Sequence, residues 1–165
     1  MPLGYWVSVT LHVLAALLWL GGMFFLALVG APALRTLEPA LRQRLFRDLG
    51  QRFRSVGWVS LAILIVTGVA NLHYRGWLHW EHVLGDAAFW RTPPGAALGW
   101  KLVAVAAMLA VQGIHDFALG PASSRAIAGG PEALRLRRRA ALLARASALL
   151  GLVIVIAAVR LARAG

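Results

Sequence analysis

Cysteine is absent from the 165 residues. Disulfides, thiolate metal centres and thiol-based redox chemistry are excluded with it. Acidic residues are scarce: six Asp and Glu stand against 16 Arg and one Lys, giving a net charge of +11. A pI near 11.9 would suggest a nucleic-acid ligand in a soluble chain. Here topology explains it more simply, because basic residues collect in cytoplasmic loops and meet anionic lipid there. Nucleic acid is therefore not expected as a partner.

Charge is missing altogether from the stretch Tyr5 to Gly30. An uncharged run of that length reads as a membrane-spanning helix. It is too long for a signal peptide and has no basic region before it. Three further apolar runs follow, in a chain that is 60% hydrophobic with a mean hydropathy of +0.72. The expected fold is all-α: an integral membrane four-helix bundle forming one domain over residues 1–165. The spans are expected at about 5–29, 56–73, 99–119 and 140–161, with Gly30 and Pro32 ending the first. Between Arg35 and Arg54, Leu41, Leu45, Leu49 and Phe53 recur at i+4 among six arginines. This reads as an interfacial helix or as an extension of the second span. The loop 74–98 holds three tryptophans, suited to an interfacial belt, and room for a short helix from Leu78 to Ala88.

Orientation follows from the bases. The loops after the first and third spans carry eleven Arg; the opposite side carries Arg75, Arg91, Lys101, Arg160 and Arg163. The positive-inside rule then puts both termini outside. The Arg-, Ala-, Leu- and Gly-rich composition suggests a GC-rich bacterium, so the expected location is the bacterial inner membrane.

This orientation sorts the histidines by depth. His12 falls in the outer half of the membrane, about 10 Å in at 1.5 Å per residue, and an imidazole there must face protein, a cavity or a ligand. His73 falls in the outer half as well. Lys101 and Arg160 lie near the outer surface, and His79 and His82 lie in the outer loop. His115 and Asp116 lie toward the cytoplasm, where Asp116 could meet Arg145. Imidazoles from two helices commonly hold haem iron from both sides, with basic side chains on the propionates. The same set suits a transition metal such as copper. Thr67 and Asn71, with Ser60, form a stripe of the kind that packs helices together. Lys101, Met108, Gln112 and His115 share one face of the third span and read as a bundle-facing stripe.

The run Leu11-His12-Val-Leu-Ala-Ala-Leu-Leu-Trp19-Leu-Gly21-Gly22, with Pro32 beyond it, resembles the first helix of the copper resistance protein D (CopD-like) superfamily. Thr67-Gly68, and Gly99-Trp100-Lys101-Leu102 leading to His115, are similar to that group too and to the related HemJ-type protoporphyrinogen oxidases. The resemblance covers four helices and implies copper uptake or haem b. For the HemJ type it maps haem contacts onto His12 and Lys101. The Leu-Pro-Arg-Leu-Phe and Asn-Glu-Val-Pro segments of that type are absent.

The leading expectation is thus a haem b protein with an outer-face site on the first three spans. His12 is one axial ligand, His73 or Lys101 the other, and Arg160 and Arg75 meet the propionates. It would transfer electrons, with a quinone or a respiratory protein as partner. The alternatives are copper transport or tolerance through His12, His73, His79, His82 and Met108, and porphyrin oxidation. The metal, the redox partner, any oligomer and any catalytic residue stay open at this stage.

Overall fold

The computed structural model describes residues 2–119 and 130–163. Among the described residues there is no β-strand. Four helical stretches are long and apolar enough to cross a membrane: Leu3–Arg35, Pro39–Tyr74, Pro93–Leu119 and Arg138–Arg163. They fall into two compact units, Met1–Gly85 and Asp86–Gly165.

In the first unit, α1 (Leu3–Phe25) packs against α3 (Pro39–Tyr74). The buried face of α1 is built from Ser8, Ala15 and Trp19, spaced seven and four apart. Opposite stand Gly57, Ser60, Leu61 and Thr67 of α3. Small residues let the two backbones approach, which is how helices associate in a solvent as apolar as their own side chains. The outward side chains are Leu, Val and Phe, such as Leu17 at 65% exposure and Leu28 at 71%. In water that surface would be costly; in hydrocarbon it costs nothing.

Pro32 does not end the first span. After α1 the chain makes one π turn, Leu26–Gly30, and continues as a short helix α2 (Ala31–Arg35). The Ala31 N–H reaches back five residues to the Leu26 carbonyl. The α-helical ladder is already interrupted there, so the missing N–H of Pro32 removes no bond that the helix needs. Of the two readings of the six-arginine segment, the extension of the second span holds for its five arginines from Arg42 to Arg54, while Arg35 ends α2. Pro39 opens α3 at a position that suits its fixed φ, and the helix runs 36 residues, about 54 Å at 1.5 Å per residue. That exceeds the ~30 Å hydrocarbon layer, so its arginine-bearing half is a continuation of the span.

At its other end α3 closes in a Schellman turn. The Trp77 N–H donates to Leu72 and the Gly76 N–H to His73, both at 2.9 Å. Gly76 has φ +70°, the left-handed conformation that glycine adopts at no steric cost. The expected helix from Leu78 to Ala88 is instead a single π turn, Trp80–Leu84, in this unit and a 3-10 turn, Phe89–Arg91, in the next.

In the second unit, α4 (Pro93–Gly113) packs against α5 (Pro131–Arg163). Helix α4 starts six residues before Gly99. Thr92 caps it, its Oγ1 accepting from the Gly95 N–H at 3.2 Å, while Pro93 and Pro94 occupy the first turn, where no N–H is needed. A Cβ on Gly95 would overlap the Phe89 carbonyl, so the cap needs glycine. A third π turn, Ile114–Leu119, follows α4. Helix α5 includes the run of arginines up to Arg139 that reads as a loop in sequence, because charged residues on water-facing turns do not stop a helix. Its buried residues include Ser147, Ala157 and Leu161, and those of α4 include Leu98, Ala104 and Met108.

Candidate functional site

The α1–α3 seam holds a polar cluster inside an otherwise apolar span. His12 stands on α1, half-buried, one turn after Ser8. Its Nδ1 lies 2.7 Å from Thr67 Oγ1 on α3. The same hydroxyl lies 2.6 Å from the Ile63 carbonyl, one turn back in its own helix. A hydroxyl has one proton, and a carbonyl can only accept, so Thr67 donates to Ile63. Thr67 Oγ1 therefore accepts from the His12 Nδ1–H. In the neutral ring this leaves the lone pair on Nε2, the arrangement in which a second group fixes the tautomer of a metal-binding histidine.

Two neighbours complete the cluster. Ser8 Oγ donates to the Thr67 carbonyl at 3.3 Å. Gly68 faces the imidazole, and a Cβ there would sit 3.6 Å from His12 Cε1. One turn beyond Thr67, Asn71 has a buried Oδ1 with no hydrogen-bond partner among the described residues. Two turns below His12 on the same face, Trp19 is 3% exposed and packs over Gly57. Its Nε1 also lacks a partner among the described residues.

His73 does not join His12. Six residues beyond Thr67, it lies about 9 Å further along the axis and some 120° around it. It is exposed, with its ring edge-on to Tyr74 at 5.9 Å. Arg75 lies over the Trp77 ring, 5.2 Å from its centre. His79 is exposed, and its carbonyl accepts from the Val83 and Leu84 amides of the π turn. The side chain of His82 lies outside the described residues. Among the described residues no three His, Asp or Glu side chains gather as a metal cluster.

The remaining candidates belong to the second unit. Lys101 is half-buried on α4, and Arg160 lines a groove between α4 and α5. The π turn after α4 holds a separate polar group. Asp116, 6% exposed, accepts from Gln112 Nε2 through one oxygen and from His115 Nδ1 through the other, each at 2.9 Å. The described ion pairs do not join Asp116 to Arg145, which is exposed.

Residues 47–161, most of the chain, match the family of copper resistance protein D. The chain belongs to the copper resistance protein D family. The match takes in Thr67, Gly68, Asn71, all of α4 and most of α5; α1, with His12, precedes it. It bears out the expected resemblance to this family, and it does not extend to the HemJ-type oxidases. An uncharacterized protein of Aquifex aeolicus (strain VF5) is 45% identical over 64 residues, which are 38% of this chain and 44% of the relative. The chain thus spans less than half the length of that relative. No solved structure matches. With its four spanning stretches, this member of the copper resistance family is a membrane protein.

In the sequence of this family member, Thr67 and Asn71 read as helix-packing residues and Ser8 does not stand out. A signal was present: Ser8 and His12 are four apart, as are Thr67 and Asn71, so each pair shares a helix face. What the spacing lacks is the register between the two helices.

Proposed function

We propose that this protein handles copper ions in the membrane, taking the ion on His12 as part of copper transport or tolerance. The observation that carries the reading is the His12–Thr67–Ile63 chain, which spends Nδ1 and directs the lone pair to Nε2. Imidazole nitrogen is a good ligand for copper. Asn71 Oδ1, on the same helix as Thr67 and without a described partner, is the second donor we assign. Family membership supports copper as the cargo. In this reading the protein sits in a bacterial inner membrane with both termini outside, as the distribution of arginines suggests, and His12 meets copper from the outer half.

Copper is better supported than haem b. A haem held by His12 and His73 asks for two imidazoles on opposite faces of one porphyrin, whereas His73 turns its ring to Tyr74 and is exposed. Metal analysis and the visible spectrum of protein purified from copper- and haem-replete cells test the choice. Wild-type protein is expected to carry copper without porphyrin bands, and His12→Ala to lose the copper while keeping its helical content. A Soret band with split α/β bands on reduction would overturn the reading in favour of haem.

A further inference from the structure

The second unit has a feature that copper handling does not use. Between α4 and α5 lies a groove of about 680 Å³, within the roughly 300–1,000 Å³ range of ligand clefts. Its floor is made of small side chains, Ala96, Ala97 and Ala157. Trp100 lines it and is 70% exposed. Arg160 and Arg163, one turn apart at the end of α5, stand at its rim. Neither guanidinium forms an ion pair with a described carboxylate.

Each half of this arrangement asks for a different part of a ligand. The alanine floor offers space and no hydrogen bonds, which suits a hydrocarbon chain. The two guanidinium groups suit a phosphate, which arginine can bind bidentately. A neutral lipid would leave the arginines unused, and free phosphate would leave the apolar floor unused. We infer that the α4–α5 groove is a binding site for an anionic phospholipid, its phosphate on Arg160 and Arg163 and an acyl chain along Ala96, Ala97 and Ala157. Trp100 lies beside the chain at the level where aromatic rings favour the membrane interface.

The experiment uses the full-length protein in vesicles that contain phosphatidylglycerol or phosphatidylcholine with brominated acyl chains. Bromine quenches nearby tryptophan, and the difference between wild type and Trp100→Phe isolates the Trp100 signal from the other six tryptophans. Quenching is expected to saturate at a low fraction of brominated phosphatidylglycerol and to follow bulk composition with phosphatidylcholine. The double variant Arg160→Gln/Arg163→Gln should lose that preference, weakening apparent affinity roughly thirtyfold if each arginine acts as a typical basic residue near an anionic surface. Arg138→Gln/Arg139→Gln removes the same charge from the other end of α5 and should keep the preference. Equal quenching by both lipids, no quenching of Trp100, or equal loss in both double variants would each overturn the assignment. Copper content, measured on the same preparations, is expected to stay unchanged.

Discussion

Replacing Thr67 with valine removes one oxygen from the His12 cluster and keeps the side-chain shape. The hydroxyl now holds the Nδ1–H of His12 at 2.7 Å and donates to Ile63 at 2.6 Å. Two costs follow and they differ in size. A hydrogen bond between membrane helices contributes about 0.6 kcal/mol on average and at most about 1.7, so the hairpin should weaken only slightly. Loss of the group that orients a metal-binding histidine typically lowers affinity 10- to 100-fold, about 1.4–2.8 kcal/mol. Thr67→Val should therefore bind copper far more weakly while melting close to wild type. Thr67→Ser keeps the hydroxyl and should recover most of the affinity. Copper titration of detergent-solubilised protein against a competing chelator, with thermal unfolding in parallel, separates the two effects. If Thr67→Val binds like wild type, or if the valine and serine variants fall together, the hydroxyl does not orient His12 for a metal.

Three further expectations rest on other contacts. Trp19 fills the space over Gly57 and its Nε1 has no described partner, so in thermal unfolding Trp19→Phe should lose no hydrogen bond and cost only about 1 kcal/mol for the smaller ring, while Trp19→Ala should cost about 3–5 kcal/mol. Gly76 at φ +70° should not tolerate a side chain freely. Gly76→Ala is expected to lose about 1–2 kcal/mol, visible as faster hydrogen exchange of the last turn of α3. Asp116→Ala removes the acceptor shared by Gln112 and His115; both donors are only partly buried, so the loss should be about 1–3 kcal/mol in total. Asp116→Asn retains one acceptor and should lose less, so equal melting of the two variants would refute that accounting.

Much of the fold is legible in the chain, and the reasons can be read from particular residues. The uncharged stretch from Tyr5 to Gly30 must cross hydrocarbon whatever it packs against, so the spans follow from composition. Helix ends are less legible because their signals depend on context. Pro32 stops an α-helix only where its N–H would have been used, and the π turn before it removes that requirement. Pro93 and Pro94 look like breakers and instead begin α4. The site is less legible than the spans. Counting residues sets His12 and His73 near the same end of the α1–α3 pair, yet the register that sets Trp19 over Gly57 puts Thr67 opposite His12 and leaves His73 past it. Thr67 alone reads as a packing hydroxyl; only the partner helix shows that its oxygen accepts from an imidazole.

The π turn at Leu26–Gly30 also bears on how this protein tolerates changes in length. A residue inserted into an unbroken helix rotates everything beyond it by about 100°, which in a membrane would exchange lipid-facing for seam-facing positions. A π turn absorbs one extra residue locally. A one-residue deletion within Leu26–Gly30 would tighten the turn toward α-helix and keep His12 opposite Thr67 and the arginine-bearing end of α3 beside α2, at the cost of the ladder bond that Pro32 cannot make. The same deletion between His12 and Trp19 would carry Trp19 off Gly57. Length variation among related chains should accordingly gather at this turn, where the span can gain or lose a residue without turning its polar cluster toward lipid.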